Sequence, residues 1–282
     1  MVRRHRRERR QRVRKSAQIQ LADFDRYEFY QKSVQSPEED VLFLERVYRE
    51  LKGRDPAHLR EDFCGAFALS CAWVRLQDHY RASGIDNDPD PLDYGKTHYL
   101  AQLSQDERDR LVLSEQDVLE GPLPGADLVC ALNFSYFCFK QRPVLLRYFR
   151  SVYASLNEGG LLFLDCFGGS KCCEPNEEET EYEDEQFSYF WDQDSFDPVT
   201  NFAQFYIHFK RYGEKKREKV FSYDWRMWSI PELRDLLTEA GFSRTHVYWE
   251  GNDEDGEGNG EYSRVSEGEP CEAWVAYIVA EK

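Results

Sequence analysis

Residues 59–67 read LREDFCGAF, an acidic pair running into Cys-Gly just ahead of the apolar run ALSCAWVRLQ at 68–77. A short strand that turns on a glycine and passes directly into a helix is the opening of an α/β unit. Gly65 lets the main chain approach a ligand closely, and exposed backbone amides in such a turn attract a carboxylate. The same residues suit a plain bend before a buried helix, with Phe63 and Phe67 packed inside and Cys64 inert. The rest of the chain decides between the two.

Outward from this stretch, short apolar runs alternate with helical patterns. Strands are expected near 58–63, 81–86, 111–114, 127–133 and 161–166, with helices at 68–77, 91–103 and 142–156 between them. This alternation predicts a mostly parallel sheet covered on both faces. Upstream, PEEDVLFLERVYREL (37–51) places Val41, Leu44, Val47, Tyr48 and Leu51 near one helical face behind Pro37 and two acids. The rhythm breaks at 170. SKCCEPNEEETEYEDEQFSYF (170–190) is strongly acidic and unsuited to a central strand. FAQFYIHFKRY (202–212) and KREKVFSYDWRMW (216–228) then predict an antiparallel pair turning at Gly213. After this insertion, spanning about 170–225, PELRDLLTEAGF reads as a helix starting at Pro231 and stopping at Gly241. THVYWE and EAWVAYIVAEK read as closing strands on either side of a polar loop, GNDEDGEGNG.

Bulk properties narrow the class. With 41% hydrophobic and 15% aromatic residues over 282 positions, the chain is too apolar to be wholly disordered. No apolar run is long enough to span a bilayer, so no membrane insertion is expected. MVRRHRRERRQRVRK is basic but lacks a following apolar segment, which argues against a secretory signal and makes a cytoplasmic location the default. Residues 1–20 are expected to form a disordered basic arm, leaving 21–282 as one domain. The net charge is −16 even with this arm, so the folded body is acidic; only the arm offers weak contact to nucleic acid. The eight cysteines include no CxxC pair, and several lie inside apolar runs, which suits buried thiols rather than a structural metal.

Three further segments carry the chemistry. RASGIDNDPD (81–90) ends an apolar strand in Asp86, followed by Asn87; SEQDVLEG (114–121) places Asp117 and Val118 after the next strand; ALNFSYFCF (131–139) presents Asn133 and Phe134 after the fourth. In this order the chain resembles the class I S-adenosylmethionine-dependent methyltransferases over roughly 25–282. The resemblance implies a Rossmann-like seven-stranded α/β sheet of order 3-2-1-4-5-7-6, with an antiparallel insertion after the fifth strand. It also implies a cofactor crevice at the carboxyl ends of the parallel strands. By the same resemblance Glu61, Phe63, Cys64 and Gly65 meet the amino-acid end of S-adenosylmethionine. Asp86 with Asn87 meets the ribose and Asp117 with Val118 the adenine, although Asp86 also suits a helix cap and Asp117 a solvent-facing loop; the polar and aromatic mixture at Asn133 and Phe134 suits a floor below the methyl group or a turn into a buried aromatic helix. The family's usual glycines are replaced here by Phe63 and Phe67. The missing G-x-G-x-x-G fingerprint weakens a nicotinamide alternative.

The resemblance implies that the N-terminal YEFYQKSVQSPEED covers bound cofactor through Tyr27, Tyr30 or Gln35, although these tyrosines equally suit packing. His208 is the candidate general base, since a neutral imidazole accepts a proton near neutral pH. Tyr223 and Arg226 are candidates for the acceptor side, Arg226 through its fork of donors. Each equally suits a structural role: an ordinary strand histidine, or an arginine paired with an acid. The implied activity is methyl transfer to a small organic acceptor, yielding S-adenosylhomocysteine. The alternatives are an RNA methyltransferase using the arm, or a non-catalytic adenosyl-binding module.

Overall fold

The computed structural model describes residues 23–252 and 258–282; the expected basic arm lies outside the described residues. Helix α1 (Arg26–Val34) is capped by Asp25, and α2 (Pro37–Lys52) has Pro at its start, three acids in its first turn and Gly53 in the left-handed region at its end. The alternation then runs β1 (His58–Asp62), α3 (Ala68–Leu76), β2 (Arg81–Asp86), α4 (Pro89–His98), α5 (Gln105–Arg108), β3 (Leu111–Glu115), β4 (Ala126–Ala131), α6 (Arg142–Ser155) and β5 (Leu156–Gly168). Helix α6 stops just ahead of Asn157, Glu158, Gly159 and Gly160, which belong to the start of β5. Gly159, at φ +71°, lies where the pairing of β5 with β4 shifts register, between Leu156 and Leu161.

Beyond β5 stand β6 (Asn176–Tyr182), β7 (Phe187–Asp197), β8 (Phe202–Arg211) and β9 (Arg217–Arg226). Then come α7 (Ile230–Ala240), β10 (Arg244–Asn252), β11 (Gly258–Val265) and β12 (Trp274–Glu281). The main sheet has the order β11-β10-β12-β5-β4-β1-β2-β3. The first five strands of the alternation are parallel, and β12 enters antiparallel between β5 and β10. The expected order 3-2-1-4-5-7-6 is therefore realised, with β11 added on the outer edge of β10.

Strand alternation sorts the core into two layers. Val129, Ala131, Leu162 and Leu164 pack toward α6 and α7, whereas Leu128, Cys130, Leu161 and Phe163 pack toward α2 and α3. Helix α7 begins in a capping box between Ser229 and Glu232 and stops at Gly241. Among the described residues no helix is long and apolar enough to cross a membrane.

The insertion is larger than the expected pair: β6 to β9 form a four-stranded antiparallel sheet in sequence order. The acidic NEEETEY forms its edge strand, paired residue by residue with β7 from Asn176–Gln193 to Tyr182–Phe187. An edge position leaves the glutamates in water, so a stretch without apolar alternation is tolerated as a strand. Nor is the insertion a detachable decoration. Ala203, Phe205, Trp225 and Trp228 belong to the same buried cluster as Leu164, Phe149 and Leu233 of the main body. The other end of this sheet packs against α1, with Phe187, Ile207 and Phe209 buried beside Phe24, Phe29 and Tyr30.

Candidate functional site

The loop after β1 shows what replaced the glycines. Phe63, Gly65 and Phe67 adopt φ values of 59°, 52° and 51°, an alternating left-handed pattern in which only the middle residue is glycine. A side chain in this region costs on the order of 1 kcal/mol or more. Burial offsets that cost: Phe67 is wholly enclosed, and Phe63 lies 5.6 Å from both the Phe139 and Tyr148 rings. Gly95 in α4 must remain bare, because a β-carbon there would fall 2.4 Å from the Phe67 ring and 2.3 Å from the Ala66 carbonyl oxygen. At Gly65, by contrast, a β-carbon would meet no protein atom within 4 Å, so this backbone is open on its outer side.

Asp86 closes β2 against this loop. Its Oδ2 accepts from the Gly65 amide at 2.7 Å and its Oδ1 from the Asp88 amide at 2.9 Å. Burial raises its carboxyl above the ordinary range, while these amides pull it back. Between the loop, Asp86 and Asn133 lies a crevice of about 380 Å³, walled by Phe63, Cys64 and Gly65. Helix α1 and strand β9 form its other side, bringing Tyr27, Tyr30 and Gln35 against Phe221 and Tyr223. The roof is tied down where the Arg26 guanidinium and Tyr27 hydroxyl both reach Asp90 at the start of α4. The sequence candidates Tyr30, Phe63, Cys64, Gly65, Asp86, Asn133 and Tyr223 are thus brought together.

Other candidates take different places. Glu61 is buried below the crevice, where one oxygen accepts from both the Ser70 amide, at 3.0 Å, and the Ser70 hydroxyl, at 2.5 Å. It therefore supplies the first turn of α3 with the acceptor that Phe67, the residue at the cap position, lacks. Asn87 is exposed beside Asp86. Asp117 spends an oxygen on the Leu119 amide at 2.8 Å, and Val118 is buried in the cluster that holds Ile85. Phe134 leans 4.5 Å from Phe167, away from the crevice.

His208 and Arg226 call for correction. His208 is buried on β8, where its Nδ1 accepts from the Lys219 amide at 2.6 Å. The ring proton therefore sits on Nε2 and is donated to Asp192 Oδ2 at 3.0 Å. With its accepting nitrogen occupied and no place on the crevice wall, this histidine is a cross-strand clamp rather than a base. The same tautomer speaks against metal binding by Glu177, Asp192 and His208, whose ligand atoms lie within 4.8 Å of one another, because Nε2 has no lone pair to give. Arg226 joins β9 to α7: it donates to Glu232 at 3.1 Å and to the Lys140 carbonyl at 3.3 Å, and lies 3.8 Å over the Trp228 ring. Asp224 pairs instead with Lys140 at 2.7 Å.

Two acids absent from the sequence reading line a cavity next to the crevice. Asp165, near the end of β5, accepts from the Asn133 and Phe134 amides at 2.6 and 2.9 Å. Those residues are consecutive and both left-handed, at φ 55°, so their amides form a concave nest around the carboxylate. Burial pushes Asp165 up to about 7 and Asp40 up to about 6; the Tyr277 hydroxyl at 3.2 Å opposes the latter shift. Both acids line a cavity of about 260 Å³ beneath the start of α2, which shares Asn133 with the crevice. An acid closing the apolar run LLFLDCF was the available signal, of the same kind as Asp86.

Burial also pushes the Glu61 carboxyl up to about 8. A carboxyl raised in the folded state favours folding most below its unfolded value, near 4.5, and loses that contribution as pH rises through about 8. Glu61→Gln should accordingly flatten this share of the stability profile between those two limits. Denaturant titrations across the window would show an unchanged slope if Glu61 stays ionised in the fold.

No protein-family model and no curated protein matches the chain. Solved structures do. A S-adenosylmethionine-dependent methyltransferase from Clostridium acetobutylicum aligns with TM-score 0.63 at 18% identity, covering 89% of this chain and 96% of its own. CalS10, an amino pentose methyltransferase from Micromonospora echinaspora, aligns with TM-score 0.63 at 14% identity, covering 93% and 98%. DesVI of Streptomyces venezuelae aligns with TM-score 0.64 at 13% identity, covering 92% and 98%. Full-length agreement of this kind, with the strand order above, shows that the chain has the fold of the S-adenosylmethionine-dependent methyltransferases.

Proposed function

We propose that the protein transfers the methyl group of S-adenosylmethionine to a small organic acceptor, leaving S-adenosylhomocysteine. The observation that carries this reading is the crevice in which Asp86, the open backbone of Gly65 and Asn133 meet at the carboxyl ends of β1, β2 and β4. Its residues fit the donor: Asp86 has acceptor capacity for ribose hydroxyls, and the loop after β1 presents backbone to the amino-acid end. Tyr27, Tyr30, Phe63 and Phe221 supply apolar cover. Bound there, the sulfonium supplies an activated methyl group and its own leaving group, so no protein nucleophile is required. The chain's tasks are to align the acceptor, exclude water under the α1 roof and receive a proton. Bounded, mainly acidic and aromatic clefts rather than a broad basic groove favour a small acceptor. Structures of the same fold include CalS10 and the sugar N-methyltransferase KedS8, whose acceptors are small.

The test is direct. Native mass measurement of the purified protein should reveal S-adenosylmethionine or S-adenosylhomocysteine, or take up either when added. Labelled donor should then pass its methyl group to a component of a metabolite extract. Absence of binding to both would end this reading.

A further inference from the structure

Past the cavity beneath α2 lies a second chamber of about 340 Å³, between the end of β5, the insertion sheet and the β10–β12 strands. The two spaces share Phe134 and Val275 as walls, and the inner cavity shares Asn133 with the crevice, so the crevice, the inner cavity and the chamber adjoin one another in that order. The chamber wall is built from indoles. Trp249 and Trp274 lie with ring centroids 5.0 Å apart, and Trp191 stands across from them beside Phe167. Two glycines seat these rings: a β-carbon at Gly168 would fall 2.4 Å from the Trp274 ring, and one at Gly268 would fall 2.9 Å from the Trp249 ring. The aromatic wall is thus held by backbone, not left as loose surface.

Charge around the chamber and the inner cavity is mostly negative. Among its described lining residues the chamber has Glu178, Glu250 and Glu269 against one base, Lys171, which pairs with Glu272 at 3.2 Å. The inner cavity adds Glu39, Asp40 and Asp165, with no lysine or arginine among its described lining residues. Electron-rich ring faces combined with carboxylates attract organic cations, and repel phosphates and carboxylic acids. We infer that the acceptor is an organic amine, gripped in its ammonium form by the chamber's indole faces and carboxylates. This assignment rests on the methyl-transfer reading above and names its substrate class.

The chemistry balances with Asp165 as proton acceptor. On reaching the neighbouring inner cavity, which Asp165 lines, the ammonium gives one proton to that carboxylate, and the freed nitrogen lone pair forms the new N–C bond. The C–S bond breaks as its electron pair returns to sulfur, and the product departs as an N-methylammonium ion. A carboxyl held near 7 by burial can exchange that proton at neutral pH.

The test uses choline as the cationic probe and dimethylbutanol, its neutral carbon isostere, titrated against tryptophan fluorescence with and without saturating S-adenosylhomocysteine. Choline should bind about tenfold more tightly than the isostere. A Glu178→Gln/Glu250→Gln double variant should lose most of that preference while keeping its S-adenosylhomocysteine affinity, which also verifies its fold. If S-adenosylhomocysteine binds but choline shows no advantage, the amine assignment is overturned and methyl transfer stands. If S-adenosylhomocysteine does not bind, the methyl-transfer reading falls, and the acceptor assignment with it. An undiminished choline preference in the double variant removes the carboxylates from the proposal.

Discussion

Arg60→Ala is expected to destabilise the protein by about 3–5 kcal/mol, read as a lower midpoint in guanidinium unfolding. Arg60 is wholly buried in β1, and so is the carboxylate of Asp62 that it faces. Its guanidinium donates to both Asp62 oxygens, at 2.8 and 3.2 Å, and to the Pro124 carbonyl and Ser155 hydroxyl, at 2.8 and 2.7 Å. The Tyr148 hydroxyl adds a third donor to Asp62 at 2.8 Å. Truncating the arginine leaves a carboxylate in the core with only Tyr148 to answer it, and opens a void the length of the side chain. Because this network joins β1 to α6, it also anchors the strand that leads into the loop at 63–67. A loss below about 1 kcal/mol would show that water or a protonated Asp62 replaces the guanidinium cheaply.

Asp86→Ala is expected to weaken S-adenosylhomocysteine binding by about 10- to 100-fold in calorimetric titration, the effect of removing charged hydrogen-bond acceptors. Two losses combine. The ribose loses its carboxylate partner, and the Gly65 and Asp88 amides lose the acceptor that sets the loop. Asp86→Asn separates them, since an amide oxygen can still serve one backbone donor but carries no charge. It should fall between the wild type and Ala. Unchanged affinity in Asp86→Ala would reject the ribose assignment.

The crossover pattern was legible because parallel strands buried on both faces must be written as apolar runs separated by helices. That is why Asp86 could be found: an acid ending an apolar strand stands out against its neighbours. His208 could not be judged in the same way. FYIHFKRY alternates correctly for a strand, but only the pairing of β8 with β7, and the position of Lys219, reveal that both ring nitrogens are engaged. Arg226 likewise has several acids within reach in sequence. The start of α7 brings Glu232 to it, while Lys140 takes Asp224.

LREDFCGAF, with the acids that follow later strands, made the alternating α/β framework and the turn after β1 legible, since strand periodicity and turn chemistry are local properties. It could not show how a loop with one glycine adopts three left-handed residues. Tertiary packing decided that by burying the Phe67 ring and enclosing Phe63 against Tyr148 and Phe139. The same holds for Asp165 and the indoles: residues far apart in the chain share a cavity only after the sheet, the insertion and the last hairpin have closed on one another. The sequence by itself thus carried the framework, whereas the acceptor side depended on long-range contacts, whose geometry no local pattern encodes.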